Sequence, residues 1–169
     1  MTTYLHLIDT NTPGPRDDVT PLFASYDAFS ALVDDLLNHF NDVTFDCIAG
    51  IDALGFILGA AMAMRAEVGF VPVRKGGKLP VEVDSVEFVD YTGQPKSLEL
   101  RAVAIKAGTS VLLVDEWIET GAQMRAAVEL VEGQGGIVAG IAAINIDDNE
   151  GSRWLVERYR CFSLWSEGG

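Results

Sequence analysis

Cations are scarce in this chain. Twelve Lys and Arg stand against 25 Asp and Glu, a formal net charge of −13. That excess excludes nucleic acid and anionic membrane surfaces as general partners, because polyanions need compensating positive charge. Cysteine is rarer still. Cys47 and Cys161 lie far apart, without metal-ligand spacing, each inside a strand-like run. They read as buried small hydrophobes in a reducing compartment rather than as a disulfide or a nucleophile. The two histidines, His6 and His39, lack ligand-like neighbours, so no protein-borne metal site is expected. Long apolar runs are missing too. The longest, 53–64, is too short to span a bilayer and suits a core helix. No basic segment followed by an apolar core opens the chain, so a soluble, cytoplasmic protein is expected. What is present is ample apolar material. At 49% hydrophobic over 169 residues, the chain fits one domain, 1–169, with a substantial core.

The pattern along the chain is that of alternating strands and helices. Residues 1–25 hold Pro13, Gly14, Pro15 and Pro21 and read as an irregular lead-in. Residues 26–40 are amphipathic: Phe29, Leu32, Val33, Leu36, Leu37 and Phe40 fall on one helical face. A strand over 43–51, an apolar helix over 53–67 and a strand over 69–73 follow. The stretch 75–101 differs, with turns at Gly76-Gly77-Lys78-Leu79-Pro80 and Gly93-Gln94-Pro95 between alternating segments. It reads as an antiparallel excursion, partly exposed and mobile. The remainder gives a strand over 110–114, a helix over 122–134, a strand over 137–146, a short helix near 153–157 and a strand over 161–165. Apolar strands alternating with helices imply an α/β fold with a parallel sheet covered on both faces. Ligands bind such sheets beyond the carboxyl ends of the strands, so the loops 50–55, 74–80 and 115–121 should converge.

The last of these loops carries most of the chemistry. Val111-Leu112-Leu113-Val114 ends in Asp115-Glu116, and a short loop closes on Thr120-Gly121 before a helix starts at Ala122. Adjacent carboxylates accept hydrogen bonds from vicinal hydroxyls, while a helix N-terminus offers N–H groups and positive dipole to an anion. Together they describe a site for a sugar carrying a phosphate.

These three loops, in this order, resemble the type I phosphoribosyltransferase family, the adenine enzymes in particular. The resemblance covers 13–146. Its most specific segment is Gly69-Phe70-Val71-Pro72-Val73-Arg74-Lys75-Gly76-Gly77-Lys78-Leu79-Pro80. The loop and helix from Gly50 to Ala60, and Asp18-Val19-Thr20-Pro21-Leu22, also resemble family segments. The resemblance implies transfer of phosphoribose from phosphoribosyl diphosphate to a purine, with magnesium arriving on the diphosphate. It further implies a homodimer and no nucleic-acid or membrane partner. Asp115 and Glu116 would hold the ribose hydroxyls. The turn Glu119, Thr120, Gly121, Ala122, Gln123 would surround the 5′-phosphate. Arg74, Lys75 and Lys78 would meet the diphosphate, across a dimer interface in one arrangement. Asp90 and Tyr91 would stand in the catalytic loop and assist proton transfer at the purine.

The chain departs from the family pattern around the anion. Glu119 replaces a small neutral residue, Ala122 a glycine, and Gln123 a hydroxyl. Leu54 stands where the adenine enzymes carry Arg, and Asp17 where Arg precedes the N-terminal aspartate, with Arg16 displaced by one. An unbalanced carboxylate beside a phosphate costs about 1 kcal/mol or more at close range. On that reading, removing Glu119 would raise affinity for a phosphorylated ligand. Two further readings therefore stand beside the enzyme: a non-catalytic member binding a nucleotide, nucleoside or protein partner, and an enzyme for a related substrate.

Overall fold

A computed structural model describes residues 3–14, 16–90 and 92–165. In chain order its elements are a 3-10 turn Leu5–Leu7, α1 (Thr20–Ala24), α2 (Tyr26–His39), β1 (Cys47–Ile51), α3 (Leu54–Arg65), β2 (Gly69–Lys75), β3 (Val83–Val89) and β4 (Pro95–Arg101). Then come β5 (Ser110–Val114), β6 (Trp117–Ile118), α4 (Ala122–Gly133), β7 (Ile137–Ile146), α5 (Glu150–Arg158) and β8 (Cys161–Trp165). The strands form one sheet in the order β3-β4-β2-β1-β5-β7-β6, with β8 also on β7. The β2-β1-β5-β7 centre is parallel, as are the β6 and β8 pairings to β7. β4 runs antiparallel to both β2 and β3.

Strand periodicity explains why both faces are apolar. Ala49, Ile51, Val111, Leu113, Ile141 and Ala143 point to the face covered by α4, where Met124, Ala127, Leu130 and Val131 meet them. The alternate set, Ile48, Leu112, Val114, Ala142 and Ile144, meets Leu32 and Leu36 of α2 and Leu58 and Met62 of α3. A strand buried on both sides reads as a continuous apolar run, which is why 111–114 shows no alternation. Truncating Leu113, fully buried between these layers, would cost about 2–5 kcal/mol.

Several boundaries differ from expectation, each for a local reason. The strand expected over 43–51 starts only at Cys47. Before it, Val43 N–H turns back to the Phe40 carbonyl, and the Asp46 carboxylate accepts from Ser110 N–H at 2.8 Å. The last helix runs longer than expected because Asn149 caps it, accepting from Gly151 and Ser152 N–H while Ser152 Oγ accepts from Asn149 N–H. The lead-in is more ordered than its prolines suggested. Tyr4, Ile8, Val19 and Leu22 are buried against α2, and Tyr4 donates to Asp35 at 2.6 Å. Mutual backbone bonds between Asp9 and Asp18, both 2.9 Å, close 9–18 into a loop.

The 75–101 excursion is antiparallel, as expected, but it is no detached flap. It forms the sheet edge β3-β4, and Leu98 and Leu100 are fully buried in the α4-side core. Val86 and Phe88 pack on the same cluster. Both cysteines are free, Cys47 buried and Cys161 partly so. Among the described residues no helix is long and apolar enough to cross a membrane.

Candidate functional site

Beyond the carboxyl ends of β1, β2 and β5 lies a cleft of about 680 Å³. The loops after β1 and β5 form its floor, and the β2 end with the β3-β4 edge forms one wall. The walls hold Lys75, Asp90, Asp115, Glu116, Glu119, Thr120, Gly121 and Gln123 of the expected site residues. Arg74, Lys78 and Ala122 are not on the lining. Tyr91 lies outside the described residues.

Asp115 is the most buried carboxylate here, 3% exposed at the end of β5. Its Oδ1 accepts from Glu116 N–H at 2.9 Å and its Oδ2 from Gln123 Nε2 at 3.0 Å. Burial, and secondly the adjacent Glu116 charge, hold its carboxyl well above the usual carboxylate range. Gly55 makes this burial possible. A Cβ there would stand 2.8 Å from the Val114 carbonyl and 3.0 Å from Asp115 Oδ1, so only glycine lets the loop after β1 close over the doublet. Gln123, in the place of a family hydroxyl, thus serves Asp115 and also faces the cleft.

The turn after the doublet is braced from behind. Trp117 and Ile118 pair with Asn145 and Ile146 of β7, a two-residue strand too short to be signalled by periodicity. Trp117 Nε1 donates to Asp147 at 2.9 Å, and its ring meets Trp165 edge-on at 5.2 Å. It therefore packs as filler on one side and lines the cleft on the other. Asn149 Nδ2 donates to the Glu119 carbonyl at 2.5 Å, and Thr120 Oγ1 accepts from Ala122 N–H at 3.3 Å. Gly121 has φ +77°, and its Cα abuts the Gly151 backbone. The left-handed residue is therefore Gly121, and Ala122 opens α4 with ordinary helical geometry. The glycine-to-alanine departure at 122 costs no left-handed position. The first N–H groups of α4 lack intrahelical partners, as at every helix start, a position that favours an anion.

Glu119 does not stand as an unbalanced charge. Arg16 Nε lies 2.5 Å from its carboxylate, and both residues line the cleft. This corrects the expectation of simple repulsion: the loop 9–18 brings a cation into the turn.

The basic run divides. Arg74 Nε contacts Asp52 at 3.2 Å, and its guanidinium carbon lies 5.8 Å from the Phe56 ring. Lys75 faces the cleft, while Lys78 turns off it. The turn 76–79 wraps around one buried carboxylate, Glu99, only 4% exposed. Glu99 accepts from Gly77, Lys78 and Leu79 N–H at 2.8, 2.6 and 2.5 Å. Its burial pushes the pKa up, but those three donors, with Arg74 nearby, outweigh it and hold the carboxyl below its usual value. Glu99 was not foreseen as part of the site. Between Leu98 and Leu100 it reads as the exposed member of an alternating strand, and its cover comes from the turn across the sheet edge.

Asp90 stands on the cleft rim, where its Oδ1 accepts from Thr92 N–H at 2.9 Å, Thr92 Oγ1 at 2.5 Å and Gln94 N–H at 3.1 Å. The Thr92 hydroxyl bond leads in holding its pKa below the usual value. That oxygen caps the hairpin turn. Lys96, in the same wall, is a cation that sequence reading passed over. In all, Arg16, Lys75 and Lys96 face Asp52, Asp90, Asp115, Glu116 and Glu119 across the cleft. A bare polyanion therefore meets a net negative lining. Among the described residues, no group of three or more His, Cys, Asp or Glu could hold a metal ion by itself.

A phosphoribosyl transferase domain matches residues 18–166. Adenine phosphoribosyltransferase from Neisseria meningitidis serogroup B is 43% identical over 137 residues, 80% of this chain and 72% of that protein. The Chlorobium phaeovibrioides enzyme of the same name is 44% identical over 151 residues, 87% and 85% of the two chains. The solved adenine phosphoribosyltransferase from Thermoanaerobacter pseudethanolicus superposes with a TM-score of 0.86 at 35% identity, covering 94% of this chain and 95% of that one. The Saccharomyces cerevisiae enzyme, solved with an imino-altritol bisphosphate and adenine, gives 0.80 at 33%, covering 89% and 86%.

Proposed function

We propose that this chain, which belongs to the phosphoribosyl transferase family, is a purine phosphoribosyltransferase of the adenine type. It has the type I phosphoribosyltransferase fold, and the reaction is a glycosyl transfer of purine salvage. The bond from the anomeric carbon to the diphosphate oxygen breaks. A bond to a purine nitrogen forms, the diphosphate leaves with the electron pair, and the nitrogen loses its proton. The observation that carries this reading is the buried Asp115 beside Glu116 at the end of β5, followed at once by the Gly121 turn. In it a furanose and a 5′-phosphate find acceptors and donors in the required order. Roles follow from chemistry. Glu116, half-buried on the wall, accepts the ribose hydroxyls with Asp115 as its fixed neighbour. Thr120, Gly121 and the α4 N–H groups take the phosphate. Lys75 meets the diphosphate, and Asp90 Oδ2 takes the purine proton.

The net negative lining supports a counter-ion requirement. Magnesium, when bound to diphosphate, supplies charge neutralisation of the leaving group, and Glu116 fits its preference for oxygen. Arg74 and Lys78, off this chain's cleft, suit a partner's cleft in a homodimer, with Ile57 and Met64 of α3 exposed on the outer surface. The chain works as one unit in the cytoplasm on small molecules, without nucleic acid or membrane.

Titration calorimetry with phosphoribosyl diphosphate and magnesium, followed by adenine consumption, tests the proposal. Binding and turnover are expected. Binding of free nucleoside or purine without turnover would move the site to the non-catalytic alternative.

A further inference from the structure

The one place where this chain adds charge to the phosphate turn is Glu119, and the structure gives that charge a partner. We infer that Glu119 is a positioning residue that holds Arg16 as the phosphate-binding cation of this cleft; the inference rests on the proposed phosphoribosyl reading.

Three observations carry it. Arg16 Nε meets Glu119 Oε1 at 2.5 Å, and both side chains line the cleft with Thr120 and Gly121. Each partner is fixed by separate contacts. Arg16 sits in the loop closed by the Asp9–Asp18 bonds, and its carbonyl accepts from the Thr12 hydroxyl. The Glu119 carbonyl is held by Asn149 from the start of α5. Finally, Arg16 is the sole Lys or Arg before Arg65 in the sequence, and Leu54 brings no charge to the loop after β1.

A pair held at both ends costs little to order when an anion arrives. Glu119 then has two opposed effects. Its own charge repels the phosphate, and its grip places a guanidinium that attracts it. Arginine is suited to the second task because its planar fork can serve a carboxylate and a phosphate at once. Because the pair closes at 2.5 Å, Arg16 cancels most of the Glu119 charge toward the cleft.

The two effects separate in a double-mutant cycle read by titration with phosphoribosyl diphosphate plus magnesium, and with ribose 5-phosphate. Arg16→Ala is expected to weaken binding about fivefold, the upper range for an exposed charge contact. Glu119→Ala is expected to weaken it about two- to fivefold in the unmodified chain. In the Arg16→Ala background the same Glu119→Ala change is expected to strengthen binding, because only repulsion is left to remove. Glu119→Gln, which keeps an acceptor for Arg16, should recover part of the affinity. The effects should appear in KM for phosphoribosyl diphosphate and not in KM for the base, and adenosine, which has no phosphate, should bind all variants alike. A purely structural pair would instead move melting temperature and all ligands together. Strengthening by Glu119→Ala in both backgrounds would overturn the inference while leaving the phosphoribosyltransferase reading intact. Failure of the unmodified chain to bind either phosphate would overturn both.

Discussion

Glu99 offers the sharpest test of how the basic turn is built. Its carboxylate accepts three backbone N–H groups from consecutive residues, Gly77 on Oε2 and Lys78 and Leu79 on Oε1. Replace it with Gln. The amide oxygen can keep the Lys78 and Leu79 bonds, now neutral and weaker. The amide NH2 must then face the Gly77 N–H, donor against donor. A hydrogen bond to a charged group contributes about 1.5–3 kcal/mol, and a buried donor left unsatisfied costs about 1–3 kcal/mol. Glu99→Gln should therefore destabilise the protein by about 2–4 kcal/mol. The effect carries a pH signature. Because the folded-state carboxyl is held below its unfolded value, Glu99 contributes stability that is present above about pH 4.3 and lost as pH falls through the folded pKa. Urea denaturation at pH 7 should show the full gap, and denaturation in acid a shrinking one. Activity should fall with it through KM for phosphoribosyl diphosphate, since Lys75 adjoins the turn. A variant within about 0.5 kcal/mol of the parent at pH 7, or a gap independent of pH, would refute the idea that this carboxylate organises the turn.

Three other outcomes follow from the same geometry. Gly121→Ala forces a left-handed alanine, about 1–2 kcal/mol, and sets a Cβ 2.7 Å from the Gly151 carbonyl carbon and oxygen, which are backbone and yield poorly. A total loss of about 2–4 kcal/mol in denaturant melts, with weakened ribose 5-phosphate binding, is expected; unchanged values for both would contradict the close approach. Asp115→Asn should stabilise the free protein at pH 7 by on the order of 1 kcal/mol while weakening sugar binding, because the Gln123 amide, unlike the backbone donors around Glu99, can turn its oxygen to accept from the new NH2. With its folded pKa raised, Asp115 makes the protein less stable as pH rises through the window above about pH 4, so the gain should vanish below that pH in thermal melts. Lys75→Ala should lower affinity for phosphoribosyl diphosphate by about fivefold and flatten its salt dependence, leaving KM for the base alone; calorimetry across ionic strengths reads both.

Much of the fold was legible because its signals are local. The α2 face from Leu32 to Leu36, the unbroken apolar run 111–114 and the bounds of Cys161–Trp165 each reflect a backbone period that a few neighbouring residues set. The convergence of three loops followed from the parallel sheet, and the cleft between them holds most of the expected residues. The departures were visible as residues but not as contacts. Ala122 stood out as a missing glycine, yet the position with positive φ is Gly121. Asp90 was seen as a carboxylate in the right loop, while its capping of Thr92 and Gln94 depends on how the hairpin tip turns.

The order of the main strands and helices and the acidic doublet at a strand end were thus set by residue type and short-range spacing, and the family by the resemblance of whole segments. Which charges meet was decided by the folded chain. Arg16 reaches Glu119, Arg74 pairs with Asp52 of the cleft wall, Glu99 gathers three N–H groups from the turn after the neighbouring strand, and Asn149 braces a turn from the next helix. Each of these joins segments distant in sequence, where no local period or propensity acts, and an ion pair exists only once packing has fixed both partners within a few ångströms.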